Sequence, residues 1–356
     1  MKSLGFFFSI CVVAVLVLCC PAVCAMNVVS TTSVLWDPVT QIGGDRVEAI
    51  YVADPAICPH LQGDIINNRI QMNRDFIATA DLFVGQNSSV DNQYVIPPLD
   101  KFMEANDYGT IDWVFLKDPD MSWNTPDDAV LLADEVKGWL IAADPGNKTY
   151  YEENYAEYID SINLADLSDT EAEIISGQDV IVMIWQKKPA EQWLGLNIVD
   201  FYAPDFYMKG EYTASKLIDR IQADPDKYRN VKYVIENMQS GELAKGVEEA
   251  LNDLGIDSER VVFTNFPKSL DGVDSIPDVL EYNKGLVMPE DALEGSVDAE
   301  EEKVTGEESS SETATATGTP TAIKPSTTSV PTQASPLSPV LVIAGLMCGL
   351  IIFFRK

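Results

Sequence analysis

The chain is poor in the residues on which many enzymes and metal sites depend. It contains one histidine, His60, among 356 residues, and five of its six cysteines lie in the apolar segments at the two ends. Only Cys58 remains between those segments, so an intrachain disulfide framework is excluded there. The sequence has no G-x-S-x-G, H-E-x-x-H or phosphate-binding glycine motif. Because no nucleophile motif is available to pair with the one histidine, we predict that the protein is not an enzyme.

Basic residues are also scarce. The 24 Lys and Arg residues are outnumbered by 56 Asp and Glu residues, which gives a formal net charge of −32. A surface with this charge repels phosphate groups, so we exclude nucleic acid as a partner. The acidic composition is compatible with a saline or cation-rich exterior.

Both ends of the chain carry segments typical of an exported and tethered protein. A Lys-bearing start, an apolar run and the small-residue stretch AVCA predict a signal peptide over residues 1–25. The apolar residues 340–354, followed by a basic pair, predict a C-terminal transmembrane helix or a cleaved sorting helix of archaeal type. The acidic and Ser/Thr/Pro-rich residues 291–339 predict a disordered stalk. We therefore expect an extracellular, cell-surface protein that is membrane-anchored through its C-terminus, with Asn87 and Asn147 as candidate glycosylation sites.

The body of the chain alternates strand-like and helix-like patterns. Short β-rich runs such as VEAIYVA, ADLFVG, DVIVMIW and VKYVIE alternate with runs such as DDAVLLADEVKGWLIAAD, which have apolar residues every three or four positions. This alternation predicts an α/β protein with two parallel-sheet lobes, over residues 26–146 and 177–290. Between the lobes lies a linking region, residues 147–176, in which the stretch NKTYYEENYAEYIDSINLADL predicts one long, stiff amphipathic helix. One face of that helix carries Tyr151, Tyr155, Tyr158 and Ile159.

Several segments resemble a known family. The start of the body resembles the opening of the zinc/manganese-type (cluster A-I) substrate-binding proteins of metal ABC importers, in the stretch NVVSTTSVLWDPVTQIGGDRVEAIYVADPAICPH. Later segments of the same family are matched by ADLFVG and DPGNKTYYEEN. The resemblance implies two α/β lobes joined by one rigid helix and a divalent metal ion, zinc or manganese, captured between the lobes. It also implies a non-enzymatic monomer that delivers this metal to an ABC permease in the membrane.

The resemblance also implies a set of site residues. His60 falls at the position of a metal-coordinating histidine, and Asp120 in DPDMSWNTPDD stands where the family has a second histidine. Asn265 in VVFTNFP stands where the family has an acid, and Glu236 in YVIEN matches a glutamate that supports the site. The remaining ligand is expected near residues 183–185, where the sequence MIW offers no good hard ligand.

Cys58 lies two residues from His60 and has two interpretations. It is either a thiolate ligand for a soft metal ion or a small buried apolar residue. A closed zinc site normally uses four protein ligands, so we predict a divergent family member with a degenerate metal site. The leading interpretation is capture of a divalent metal. The alternatives are a binder of a metal chelate or organic ligand, and a structural or adhesive surface protein that has lost the metal site.

Overall fold

The computed structural model describes residues 25–289. The strands are β1 Met26–Ser30, β2 Val47–Tyr51, β3 Leu82–Gly85, β4 Trp113–Phe115, β5 Asp179–Met183, β6 Asn197–Tyr202, β7 Tyr233–Asn237 and β8 Glu259–Phe263. The α-helices are α1 Ser33–Gly43, α2 Gly63–Met72, α3 Arg74–Ala78, α4 Ile96–Ala105, α5 Pro126–Ala143, α6 Lys148–Ala165, α7 Asp169–Ile175, α8 Ala214–Ala223, α9 Lys245–Asp253 and α10 Ile276–Gly285. The predicted stalk and C-terminal helix, and all but the last residue of the predicted signal peptide, lie outside this range. Within it, no helix is long and apolar enough to cross a membrane.

The strands form two four-stranded sheets with the same topology. The first sheet has the order β2-β1-β3-β4 and the second β6-β5-β7-β8, and every neighbouring pair is parallel. Most central-strand residues are buried, as expected for parallel sheets covered by helices on both faces. The prediction of an α/β protein with two parallel-sheet lobes is therefore confirmed. In each sheet the two central strands are the first and third of the lobe, so the connections leave in opposite directions between them.

The linking region contains the expected long helix, and a second, short helix follows it. Helix α6 has 18 residues, which corresponds to a length of about 27 Å. Its buried residues Tyr151, Tyr158 and Ile162 lie in the core of the first lobe. The helix ends at Ala165, because Ser168 forms a capping box that starts the separate helix α7. The region is thus a helix packed along the first lobe, followed by a short turn into the second lobe.

The last helix attaches the second half of the chain to the first lobe. Ile276 and Leu280 of α10 belong to the first lobe's core. At the start of α10, the Ile276 N–H donates to Asp37 Oδ2 at 2.7 Å, and the Tyr158 hydroxyl donates to the same oxygen at 2.6 Å. Burial raises the pKa of Asp37 to about 6, although both of these hydrogen bonds lower it. One fully buried carboxyl group therefore joins α1, α6 and α10.

Candidate functional site

A cavity of about 320 Å³ lies between the lobes, at the carboxyl ends of the strands. The first-lobe wall consists of residues that follow strands β1 to β4, namely Thr32, Cys58, Pro59, Gln86, Ser88, Val90, Asp91 and residues 119–124. The second-lobe wall consists of Trp185, Asn237, Gln239, Asn265 and Phe266. Ligands of open parallel sheets bind at this end of the strands, where connections diverge. The position and size of the cavity are therefore those of a small-ligand cleft.

Cys58 and His60 lie together on the loop after β2. The His60 Nδ1 atom is 2.7 Å from Cys58 Sγ, and burial raises the pKa of the Cys58 thiol. The buried side chain of Gln62 fixes this loop: its Oε1 accepts from the Asp54 N–H at 2.6 Å, and its Nε2 donates to the Asp54 carbonyl at 2.7 Å and to the Ile57 carbonyl. The sequence placed the thiol and the imidazole near each other, and the Gln62 contacts hold them in one geometry.

Asp120 lines the cavity but does not join this pair. Its side chain is on an exposed part of the loop after β4, where its N–H donates to Asp118 Oδ1 at 3.0 Å. Among residues 25–289, no group of three or more His, Cys, Asp or Glu side chains is arranged to hold a metal ion. The conformation described here therefore brings two of the predicted ligands, Cys58 and His60, into contact and leaves Asp120 apart from them.

Asn265 belongs to an interlobe network of side-chain amides, which we call the amide belt and define as Asn124, Gln186, Asn237 and Asn265. Asn265 Oδ1 accepts from Asn124 Nδ2 at 3.0 Å and from Gln186 Nε2 at 2.8 Å. Gln186 Nε2 also donates to Asn237 Oδ1 at 2.9 Å. In this arrangement the carbonyl oxygen of Asn265 is already used, and its NH₂ group makes no hydrogen bond with residues 25–289. Sequence reasoning missed Asn124, Gln186 and Asn237, because single amides carry no motif.

Glu236 faces away from the cleft. Its buried carboxylate accepts from the Ala244 N–H at 2.8 Å and from Arg260 Nη1 at 2.5 Å. These contacts connect β7 to the start of α9 and to β8, and Glu236 is not among the cavity residues. In the MIW segment, Met183 is buried in the second lobe's core and Trp185 lines the cavity.

Asp91 is a cavity residue that sequence reasoning missed. Its Oδ2 accepts from Thr31 Oγ1 at 2.9 Å and from the Gln86 N–H at 2.7 Å. Burial raises its pKa to about 6 despite these hydrogen bonds. The available signal was an acid shortly after the apolar strand ADLFVG, which is weak in a chain with so many acids. The contacts indicate that Asp91 organises the turns after β1 and β3.

The lobes also contact each other directly at the cleft. Trp123 Nε1 donates to the Asn265 carbonyl at 2.5 Å, and Gln239 Nε2 donates to the Pro55 carbonyl at 2.9 Å. Two parallel-sheet lobes that are linked by one long helix and enclose a ligand cleft define a solute-binding protein of the helix-linked class.

Comparison with known proteins identifies the family. The chain belongs to the family of ZnuA, described as zinc-uptake complex component A, periplasmic, whose model matches residues 28–283. This is a family of solute-binding proteins for metal uptake, so the predicted family resemblance and the non-enzymatic character are confirmed. The degenerate metal site stays a prediction.

Solved structures share the fold at low sequence identity. The periplasmic zinc-binding protein TroA from Treponema pallidum is 12% identical, with a TM-score of 0.54 over 74% of this chain and 98% of that one. A periplasmic metal-binding protein from Candidatus Liberibacter asiaticus is 16% identical, with a TM-score of 0.54 and the same coverage. The metal-dependent lipoprotein YcdH from Bacillus subtilis is 20% identical, with a TM-score of 0.50 over 76% of this chain and 99% of that one.

Proposed function

We propose that this protein is the substrate-binding component of an ABC importer and that it captures a divalent metal ion of the zinc/manganese type in the interlobe cleft. The observation that carries the proposal is the contact of 2.7 Å between Cys58 Sγ and His60 Nδ1 on the loop after β2. Cys58 lines the cleft, and His60, which is not a lining residue, contacts it from the same loop. A thiolate and a neutral imidazole are good zinc ligands, whereas manganese prefers oxygen. Zinc is therefore the preferred cargo of this pair.

Metal binding requires only a small change in the pair. In a tetrahedral zinc site with the usual bond lengths, sulfur and nitrogen lie about 3.5 Å apart. Cys58 and His60 must therefore separate by somewhat less than about 1 Å and release the thiol proton. Side-chain rotation supplies this change while Gln62 continues to hold the backbone of the loop.

The other predicted residues have subordinate roles in this proposal. Asp120 is on an exposed loop of the cleft wall and supplies a carboxylate if that loop moves inward. Asn265 offers its carbonyl oxygen to a metal ion only if its side-chain amide rotates by about 180°. The neighbouring amides of the belt can rotate with it, because the oxygen and NH₂ ends of an amide have similar shapes. Glu236 is proposed to position β7 through Arg260 rather than to bind the cargo.

We propose a cellular setting on the basis of the sequence and the family. Export by the signal peptide places the lobes outside the membrane, and the stalk and C-terminal helix tether them at the cell surface next to an ABC permease. The protein acts as a monomer that releases its metal to this permease. Support comes from the composition of both chain ends and from membership in a family of uptake components.

Calorimetric titration of the full-length protein with zinc, manganese and cobalt tests the metal site. We expect one zinc per chain, weaker binding of manganese, and a loss of zinc affinity of more than about 100-fold in His60→Ala and in Cys58→Ser. Asp64→Asn is the control for a charge lost near the same loop, because Asp64 is exposed on α2, and it should bind zinc normally. Equal zinc affinity in the wild type and both ligand variants would refute the proposed site.

A further inference from the structure

The His60 imidazole contacts aromatic rings from both lobes. It lies on the loop after β2 and meets the Phe206 ring edge to face, with ring centroids 5.0 Å apart. Tyr94, which follows β3 in the same lobe as His60, makes a second edge-to-face contact at 6.3 Å. Phe206 follows β6 and belongs to the second lobe. The imidazole of the proposed metal site therefore has one aromatic partner in each lobe.

These rings bear on the orientation of the imidazole. His60 Nδ1 lies 2.7 Å from Cys58 Sγ, and the imidazole makes no other hydrogen-bond contact within residues 25–289. Rotation of an imidazole about its bond to Cβ has broad energy minima, so its neighbours must select the orientation. Aromatic pairs favour edge-to-face geometry, and Phe206 and Tyr94 stand at 62° and 60° to the imidazole plane. The two rings thus restrict the rotation that would turn Nδ1 away from the thiol.

The loop that carries Phe206 has a fixed backbone. Its two ends are joined by a hydrogen bond of 2.7 Å from the Ala203 N–H to the Tyr212 carbonyl. Within the loop, the Gly210 N–H donates to the Tyr207 carbonyl at 2.9 Å. Phe206 is therefore presented to the first lobe by an ordered turn.

The same loop holds an unfavourable backbone conformation. Met208 and Lys209 have φ angles of 46° and 56°, in the left-handed region that residues other than glycine rarely adopt. Residues in such conformations concentrate at ligand clamps and other functional sites. Phe206 itself is 65% exposed, so the loop does not owe its shape to burial of this ring in a core. The contact of the ring with His60 gives the loop a role at the metal site.

Trp185 connects the Phe206 contact to the cavity. Its ring centroid lies 6.4 Å from that of Phe206, and Trp185 lines the second-lobe side of the cavity. Cys58 lines the first-lobe side. Phe206 therefore stands at the edge of the cleft, in contact with one ring of each lobe. Movement of the second lobe away from the first would take Phe206 from His60 and leave Tyr94 in place.

We infer that Phe206 is a positioning residue for the metal site: from the second lobe, its ring holds the His60 imidazole in the orientation in which Nδ1 faces Cys58. The inference rests on the proposed metal-binding function and names a residue that sets the strength of that binding. Because the ring belongs to the other lobe, the two ligands have their full orientation only while the lobes are together.

The first measurement follows the imidazole without any metal. His60 is the only histidine of the chain, so isotope-labelled histidine in the full-length protein, made without a histidine tag, gives one set of NMR signals. At one fixed pH, Phe206→Ala should displace these signals, because an adjacent aromatic ring shifts the resonances of nearby protons. Phe206→Tyr keeps the ring and should keep the wild-type signals. Met208→Ala is the control, since it removes an exposed apolar side chain from the same loop, and it should leave them unchanged.

The second measurement uses zinc. We expect Phe206→Ala to lower zinc affinity about threefold to tenfold in calorimetry, the factor that one edge-to-face contact supplies. The rate of zinc release to a chelator in stopped-flow experiments should rise by a similar factor. Phe206→Tyr should restore both values, and Met208→Ala should match the wild type. Because Phe206 is largely exposed, the alanine variant leaves the core of the second lobe intact.

The outcomes separate this inference from the proposed function. If the His60 signals are the same in the wild type and Phe206→Ala, the positioning role is refuted. If the signals differ but zinc affinity and release do not, Phe206 touches the imidazole without positioning it for metal, so the inference is refuted and the metal site stands. If the wild type binds no zinc, the metal site itself is wrong, and the inference falls with it.

Discussion

Replacing Asp37 with asparagine tests how the last helix is attached to the first lobe. Asp37 is fully buried, and burial raises its pKa from 3.8 to about 6. Each pKa unit corresponds to about 1.4 kcal/mol, so ionising this carboxyl in the folded protein costs about 3 kcal/mol more than in the unfolded chain. Because the folded pKa is the higher one, the protonated carboxyl of Asp37 contributes its full stability below about pH 4. This contribution is lost as the pH rises through about 6.

The expected result is a pH-dependent difference between two proteins. In Asp37→Asn the new side-chain amide stays neutral, its oxygen accepts from Tyr158 and Ile276 as the carboxylate does, and no ionisation cost arises. The free energy of unfolding of Asp37→Asn should therefore rise relative to the wild type by about 2 kcal/mol between about pH 4.5 and pH 7. Urea unfolding followed by tryptophan fluorescence measures both proteins, and contributions from other acids cancel in the difference.

Two tyrosine variants sharpen this test. Tyr158→Phe removes a hydrogen bond that lowers the pKa of Asp37, so the loss of stability should extend to higher pH than in the wild type. Tyr155→Phe is the control on the same helix, since the Tyr155 hydroxyl makes no hydrogen bond within residues 25–289. A stability difference between Asp37→Asn and the wild type that stays constant from about pH 4.5 to 7 would refute the reasoning, because Asp37 would then titrate as it does in the unfolded chain.

Three further substitutions probe the supports of the site and of the second lobe. Gln62→Ala removes the side chain that fixes the Cys58 loop and should lower zinc affinity at least about tenfold in calorimetry; unchanged affinity would show that the loop needs no such support. Arg260→Met leaves the buried carboxylate of Glu236 unpaired and should cost about 3 to 5 kcal/mol in urea unfolding, so a loss below about 1 kcal/mol would contradict the pairing. Ion pairing and hydrogen bonding, mainly with Arg220, hold the pKa of Asp200 at about 2 despite burial. Asp200→Asn should therefore be less stable than the wild type at neutral pH, and this difference should vanish as the pH falls through about 2; a loss that persists there would exclude the electrostatic explanation.

The hydrophobic pattern of the sequence predicted most of the strands but only some of the helices. Runs such as ADLFVG and VKYVIE became buried strands because central parallel strands are apolar on both faces. The β-rich run MNVVSTTSVL has the pattern of a single strand, but β1 ends at Ser30 and α1 begins at Ser33. Helices α2, α4 and α10 were not predicted, since their polar and proline-containing sequences lack the clear three- and four-residue spacing of α5.

The sequence by itself determined the α/β class, the two lobes and the family, because strand and helix periodicity and long matching segments are local properties of the chain. It also determined the nearness of Cys58 and His60, which are two residues apart on one loop. Tertiary structure decided the rest of the site. The side-chain oxygens of Asn265 and Glu236 are occupied by partners such as Gln186 and Arg260, which are distant in sequence. Hydrogen bonds and charges act over a few ångströms in space, so only the folded arrangement decides which side chains remain available to a ligand.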